Sequence, residues 1–177
     1  IFFKMKTNKI IIYDDSCPMC AAYTKAFVST GMIEPANRKN FSTIDPALMQ
    51  YIDTNRCKNE IPVLDADTKQ VWYGVDALTE VLQLKIHGIK KVVAVKPVKW
   101  FAEHLYAFIS YNRKVIVASS KPAGNFDCTP NFNYTYRIAF LLCFLTINSL
   151  LLFPIHDYIL QNSFVTVTSG QLTGSHF

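Results

Sequence analysis

The chain has 177 residues, of which 50% are hydrophobic and 14% aromatic, and a net charge of +5. That apolar content excludes an intrinsically disordered protein, and five cysteines without a regular framework exclude a disulfide-stapled scaffold. The charge is unevenly placed: residues 1–84 carry nine Lys/Arg against ten Asp/Glu, residues 85–137 nine against two, and residues 138–177 only Asp157, a pattern that suggests a membrane or nucleic-acid partner.

No secretory signal is expected at the start, because the apolar run after Lys9 is short and lacks a small-residue cleavage site. Met5 is a natural first residue, with 1–4 read as upstream sequence. Lys9–Tyr13 is predicted as a short buried strand, β-branched and continuous. It runs into YDDSCPMC, where Pro18 suits the first turn of a helix whose apolar face is Tyr23, Ala26 and Phe27 and which stops at Gly31. Phe41–Ile44 reads as a weak second strand. Asp45-Pro46 opens a helical stretch to about Ile52. Ile61–Leu64 is the third strand, and the turn DADTK makes a hairpin with a fourth, Val71–Tyr73. After Gly74, Asp76 is the expected N-cap of a helix through Leu84, with Leu78, Val81 and Leu82 inward.

The order strand–helix–strand–helix–strand–strand–helix describes a small α/β sandwich over residues 5–84. A basic section, 85–120, follows, in which Pro97 opens a helix to Tyr111 with Val98, Phe101, Leu105, Phe108 and Ile109 on one side. It reads as a helix packed on the domain, with a membrane-surface helix as the alternative. Residues 121–134 form a linker rich in Pro, Gly and Asn. From Ile138 to His156 no residue carries a formal charge at neutral pH. The segment 135–160 is therefore predicted as a single transmembrane helix, flanked by Tyr134, Tyr136 and Tyr158 and followed by a polar tail, 161–177. A buried core helix is the competing reading, supported by Thr146, Asn148, Ser149 and Pro154.

Chemistry concentrates at Cys17-Pro18-Met19-Cys20. At a helix start the orphan N–H groups and the dipole stabilise a thiolate, so Cys17, expected to be exposed, is the nucleophile and Cys20 the resolving thiol. Pro18 stiffens the turn between them. Zinc would need two more ligands, and no second CxxC or HxxxH is present; inert buried cysteines are a further alternative. Asp14 is either the acceptor of the Cys20 proton or a loop cap. Ile61-Pro62 is a candidate substrate-facing pair. Cys57, Cys128 and Cys143 are expected to be non-catalytic.

The sequence Asp14-Asp15-Ser16-Cys17-Pro18-Met19-Cys20 after a short strand resembles the DCC family of thiol–disulfide oxidoreductases. Ile61-Pro62-Val63-Leu64, Gly74-Val75-Asp76-Ala77, and Leu105-Tyr106 through Asn112-Arg113 agree with that family's pattern, over about residues 8–117. One departure is Asp15, where members commonly have glycine. The resemblance implies a thioredoxin-like βαβαββα sandwich with a C-terminal helical extension, and a cis Pro62 facing the dithiol. A trans Pro62, or one on the far side of the domain, would remove that reading. It also implies disulfide exchange through Cys17 and Cys20 with no bound cofactor and no metal.

The expected partners are a protein or small-molecule disulfide or thiol, the membrane, and another membrane protein that would satisfy Asn148 and Ser149. Nucleic acid is not expected, since the lysines of 85–137 are scattered and match no binding motif. The expected location is the inner (plasma) membrane, with the redox domain facing the cytoplasm. The alternative function is a non-catalytic thioredoxin-like binding or assembly module of a membrane complex.

Overall fold

The computed structural model describes residues 8–117 and 129–159, the latter without the side chains of 156, 157 and 159. Expectations on 1–4 and Met5, on Cys128, on most of the linker and on the polar tail lie outside the described residues. The chain divides after Tyr136 into two compact units.

Strand β1 (Lys9–Tyr13) is the axis of the first unit, as its run of isoleucines requires. It lies inside a four-stranded sheet of order β2-β1-β3-β4, formed with β2 (Arg38–Asn40), β3 (Pro62–Asp65) and β4 (Val71–Tyr73). β1 pairs with β2 in parallel, across helix α1 (Pro18–Ser29), and with β3 antiparallel; β3 and β4 form the expected antiparallel hairpin. Successive side chains of a strand face opposite ways, and both faces of this sheet are covered. Ile10, Ile12 and Leu64 pack with Ile44, Ile52 and Cys57 on one face. Ile11 and Val63 pack on the other with Ala77 and Val81 of helix α4 (Gly74–Leu82), and Tyr23 and Phe27 of α1 join that layer. Full burial of each such Ile or Val is worth about 1.5–3 kcal/mol, which makes these strands the least tolerant part of the unit.

Several boundaries differ from expectation. β2 is Arg38–Asn40, not Phe41–Ile44: it is an edge strand without an apolar pattern, held where the Arg38 guanidinium stacks on the Tyr13 ring at 3.9 Å and donates to Ala21 O. The stretch after Asp45 is broken into α2 (Pro46–Met49) and α3 (Thr54–Cys57), each with an aspartate cap, Asp45 and Asp53. On α1, Ala26 is exposed and Thr24 is buried. α4 begins at Gly74, which takes φ +56° to turn the chain out of β4, so Asp76 lies in the first turn and Tyr73 at the cap.

Pro62 is trans; there is no cis peptide bond among the described residues. The expected isomer is therefore corrected. The isomer does not decide the fold, however, because strand order, pairing sense and helix placement all agree with the thioredoxin-like α/β architecture. With Pro62 trans, Ile61 is tied at both ends: its N–H donates to the Tyr106 hydroxyl at 2.9 Å and its carbonyl accepts from Gly74 N at 3.1 Å.

Helices α5 (Ile89–Val93) and α6 (Lys96–Ile116) complete the first unit, packed against α4 and each other. α6 meets the domain through polar groups: Tyr106 on Ile61 N, Ser110 Oγ on Asn59 O, and Arg113 on Lys58 O. Of the apolar stripe expected to face inward, Val98, Phe101, Leu105 and Ile109 are exposed. Helix α7 (Tyr134–Ile159) is apolar all round, and its segment Tyr134–Ile155 has mean hydropathy 2.4 with none of its most apolar window buried. It is the one helix among the described residues long and apolar enough to cross a membrane. Thr146 and Asn148 each donate to the carbonyl four residues back, which satisfies part of their hydrogen bonding within the helix.

Candidate functional site: a dithiol at a helix start

The β1-to-α1 turn builds the site from its own backbone. Asp14 closes the strand, its carbonyl accepting from Cys17 N at 3.3 Å and its Oδ1 from Ser16 N and Ser16 Oγ at 2.9 and 2.6 Å. Cys17 is the N-cap of α1 in extended conformation, and Pro18 takes the first helical position, where it forfeits no hydrogen bond. The Cys17 sulfur accepts from Cys20 N at 3.4 Å, in the place a capping oxygen would take. Both cysteines are free thiols here. Both are also covered, Cys17 at 3% exposure and Cys20 at 5%, so the expected exposed first cysteine is corrected.

The pair is electrostatically split. The hydrogen bonds from the Cys20 side chain and backbone, helped by the Arg113 charge, bring the Cys17 thiol from 9.0 down to about 6, against burial and the Asp14 carboxylate. Cys20 moves the other way, pushed well above the ordinary thiol range by its hydrogen bond to Cys17 and then by burial. The proton thus belongs to Cys20 and the negative charge to Cys17.

Arg113, near the end of α6 and 93 residues from Cys20, points Nη1 at the Cys20 sulfur at 3.8 Å while Nη2 donates to Lys58 O at 3.0 Å. Its guanidinium is 7% exposed as a residue, so it acts in a low-dielectric setting where a cation matters most. Only the resemblance to the family's Asn-Arg ending singled this residue out in the sequence; no local pattern ties it to the cysteines. Tyr23 and Tyr106 also surround the pair, and burial raises both hydroxyls above their ordinary range.

Asp14, Cys20, Ile61, Pro62 and Arg113 line one narrow cleft of about 10 Å³, which brings together four of the residues selected from sequence. Asp14 Oδ2 is buried there without a hydrogen-bond partner. Beside it, an apolar cavity of about 230 Å³ is lined by Met19, Cys20, Tyr23, Phe27, Leu78 and Ile109, with Arg113 at its edge. Pro18 is on the surface between the cysteines. Ile61 lines the narrow cleft, but its backbone groups are already engaged.

Of the remaining cysteines, Cys57 is buried with Ile10, Ile12 and Leu64 and borders the same narrow cleft as Cys20, and burial followed by the Asp53 charge pushes its thiol up to about 12. Cys143 lies on the apolar helix α7. Among the described residues no group of three or more His, Cys, Asp or Glu gathers in metal-binding range.

A vicinal dithiol at a helix start, on a four-stranded thioredoxin-like scaffold, defines the thiol–disulfide oxidoreductase class. The model of the DCC1-like thiol-disulfide oxidoreductase family matches residues 11–118, more than half of the chain, and the chain belongs to that family. Searches of curated proteins and of solved structures returned no match.

Proposed function

We propose that the protein is a thiol–disulfide oxidoreductase working through the Cys17–Cys20 dithiol, tethered to a membrane by α7. The observation that carries this reading is the Cys17 sulfur on the α1 N-terminus, with its thiol held at about 6 while Cys20 keeps its proton. In the reductive direction the Cys17 thiolate attacks one sulfur of a substrate disulfide. A Cys17–substrate bond forms, and the other substrate sulfur leaves as a thiolate that takes a proton. Cys20 then gives up its proton and attacks the Cys17 sulfur, closing the Cys17–Cys20 disulfide and releasing the second substrate thiol. Two electrons pass from the dithiol to the substrate, and no group beyond the two sulfurs carries them. The same steps run backwards oxidise a substrate dithiol.

Asp14 is assigned as acceptor of the Cys20 proton, on the ground that its free Oδ2 lines the same cleft as Cys20. Arg113 steadies the Cys20 thiolate while it attacks. Pro18, exposed between the cysteines, is assigned to the surface that receives the substrate, and Pro62 and Ile61, buried beside Cys20 in the narrow cleft, to the wall behind the dithiol.

The burial of both sulfurs favours the competing reading, a non-catalytic module, so the test must separate the two. Incubated with a disulfide substrate, the Cys20→Ser variant should accumulate a covalent mixed disulfide, whereas Cys17→Ser should form none and reduce nothing. Absence of any trapped adduct with Cys20→Ser, in protein shown to be folded, would leave only the binding module.

A further inference from the structure

The first unit carries an apolar surface that its own core does not use, and it lies in the most basic stretch of the chain. From Val81 to Ala102 there is no Asp or Glu, against five lysines, Lys85, Lys90, Lys91, Lys96 and Lys99. Within that stretch Ile86, Val92, Val95, Trp100 and Phe101 are 47–62% exposed, at the corner where α5 meets α6. Single exposed hydrophobes are ordinary on any surface; five large ones in one short stretch are not. Lys91 and Lys96 stand exposed among them, while Lys90 and Lys99 reach Glu80 and Asp76. On α6 the exposed apolar line continues through Leu105 and Ile109.

Mixed lysine and apolar exposure with a tryptophan is the chemistry of a surface that settles into the interface of an anionic bilayer. The rings and branched chains enter the headgroup boundary, and the ammonium groups remain at the phosphates. A soluble protein partner would match the apolar groups, but the stretch itself supplies five lysines and no carboxylate. Asp76, Glu80 and Glu103 from outside it engage Lys90 and Lys99, whereas Lys85, Lys91 and Lys96 make no ion pair with a carboxylate among the described residues, which favours a partner that is itself negatively charged. We infer that the α5–α6 corner, Ile86–Phe101, is a second, peripheral membrane contact that lays the dithiol unit against an anionic lipid surface, independently of whether α7 spans it.

Trp100 reports on this directly, because the chain contains only two tryptophans. Trp72 lies on β4, at the hairpin, and its replacement by Phe leaves Trp100 as the sole emitter. The full chain with Trp72→Phe would be reconstituted in vesicles of anionic or zwitterionic lipid whose acyl chains carry bromine near the headgroup. Trp100 emission should shift to the blue and be quenched by the bromines in the anionic vesicles. The quench should fall in zwitterionic vesicles, in high salt, and in Lys91→Glu/Lys96→Glu, each lysine being worth about fivefold in partitioning. Subtracting the spectrum of Trp100→Phe from that of the unaltered chain gives the same signal without touching Trp72.

A Trp100 that stays red and open to acrylamide in anionic vesicles overturns the inference. So does one that is shielded yet insensitive to bromine, which would mean that protein, the chain's own or a second copy, covers the corner. Quenching equal in both lipids overturns the anionic preference. Carbonate extraction of the same vesicles reports on α7 alone, so the failure of the span and the failure of this surface are read separately.

Discussion

At the scale of single residues, the site turns on where one proton sits. A thiol brought to about 6 is half ionised at pH 6, whereas one at 9.0 is ionised there about five hundredfold less often. A low-pKa thiolate is intrinsically a weaker nucleophile, with a Brønsted slope of about 0.4–0.5, so the net advantage of Cys17 at pH 6 is roughly thirtyfold. The sign follows: alkylation of Cys17 should rise through pH 6 and level off by about pH 7.5, while the denatured chain's thiols keep gaining reactivity up to pH 9. Mass spectrometry of iodoacetamide-treated protein across that range checks it, and a Cys17 that behaves like the denatured thiols would remove the nucleophile. Arg113 is the second residue with a measurable role. Cys20 must become an anion to resolve the mixed disulfide, and a guanidinium at 3.8 Å offsets the cost of that charge in a buried place. Arg113→Gln is expected to slow resolution by about tenfold or more, since 1.4 kcal/mol of lost stabilisation already suffices for a factor of ten. Rapid-quench trapping of the mixed disulfide separates this from a merely structural loss, which would lower the melting temperature without lengthening the intermediate's lifetime.

At the scale of elements, α6 is held by hydrogen bonds more than by grease, and that can be measured. The Tyr106 hydroxyl accepts from Ile61 N–H, which is buried at the start of β3. Tyr106→Phe keeps the ring and leaves that donor unsatisfied, at a cost of about 1–3 kcal/mol. Urea denaturation of the full chain in detergent should register the loss as a lower midpoint with unchanged slope; no change would mean that β3 and α6 are not joined through this bond. The same helix explains what the sequence could and could not disclose. β1, the start of α1 and the β3–β4 hairpin were legible because isoleucine runs, proline at a helix start and an Asp-rich turn act within a few residues. β2 was misplaced because an edge strand reading Arg-Lys-Asn carries no apolar signal, its position being set by Arg38 reaching across to Tyr13 and α1. The apolar periodicity of α6 was real, but it marked the outer side, since the domain engages the helix through Tyr106, Ser110 and Arg113. The cysteines were legible as a pair for the same local reason. The burial of Cys17 and the approach of Arg113 to Cys20 were not, because long-range packing decides both.

At the scale of the whole molecule, the distribution of charge and the long apolar helix α7 support one predicted topology. All eighteen Lys/Arg precede Ile138. The segment Tyr134–Ile155 would extend about 33 Å at 1.5 Å per residue, against a hydrocarbon thickness of about 30 Å. Tyr134 and Tyr158, both exposed, stand where its ends would meet the headgroups. The polar groups of its middle part carry less penalty than their identity suggests, since Thr146 and Asn148 donate back to Leu142 O and Phe144 O. If α7 spans a bilayer, the positive-inside rule predicts that the basic side stays in the cytoplasm, a reducing compartment in which a free Cys57 would be ordinary. The charge count weighs most where it lies close to the helix, at Arg137 and Lys114, and less for the distant lysines of a domain this large. Membranes from cells expressing the full chain should therefore retain it through an alkaline carbonate wash, and protease added to intact cells should leave the Cys17–Cys20 unit uncut. Release by carbonate would refute the span, and digestion of that unit from outside would refute the orientation.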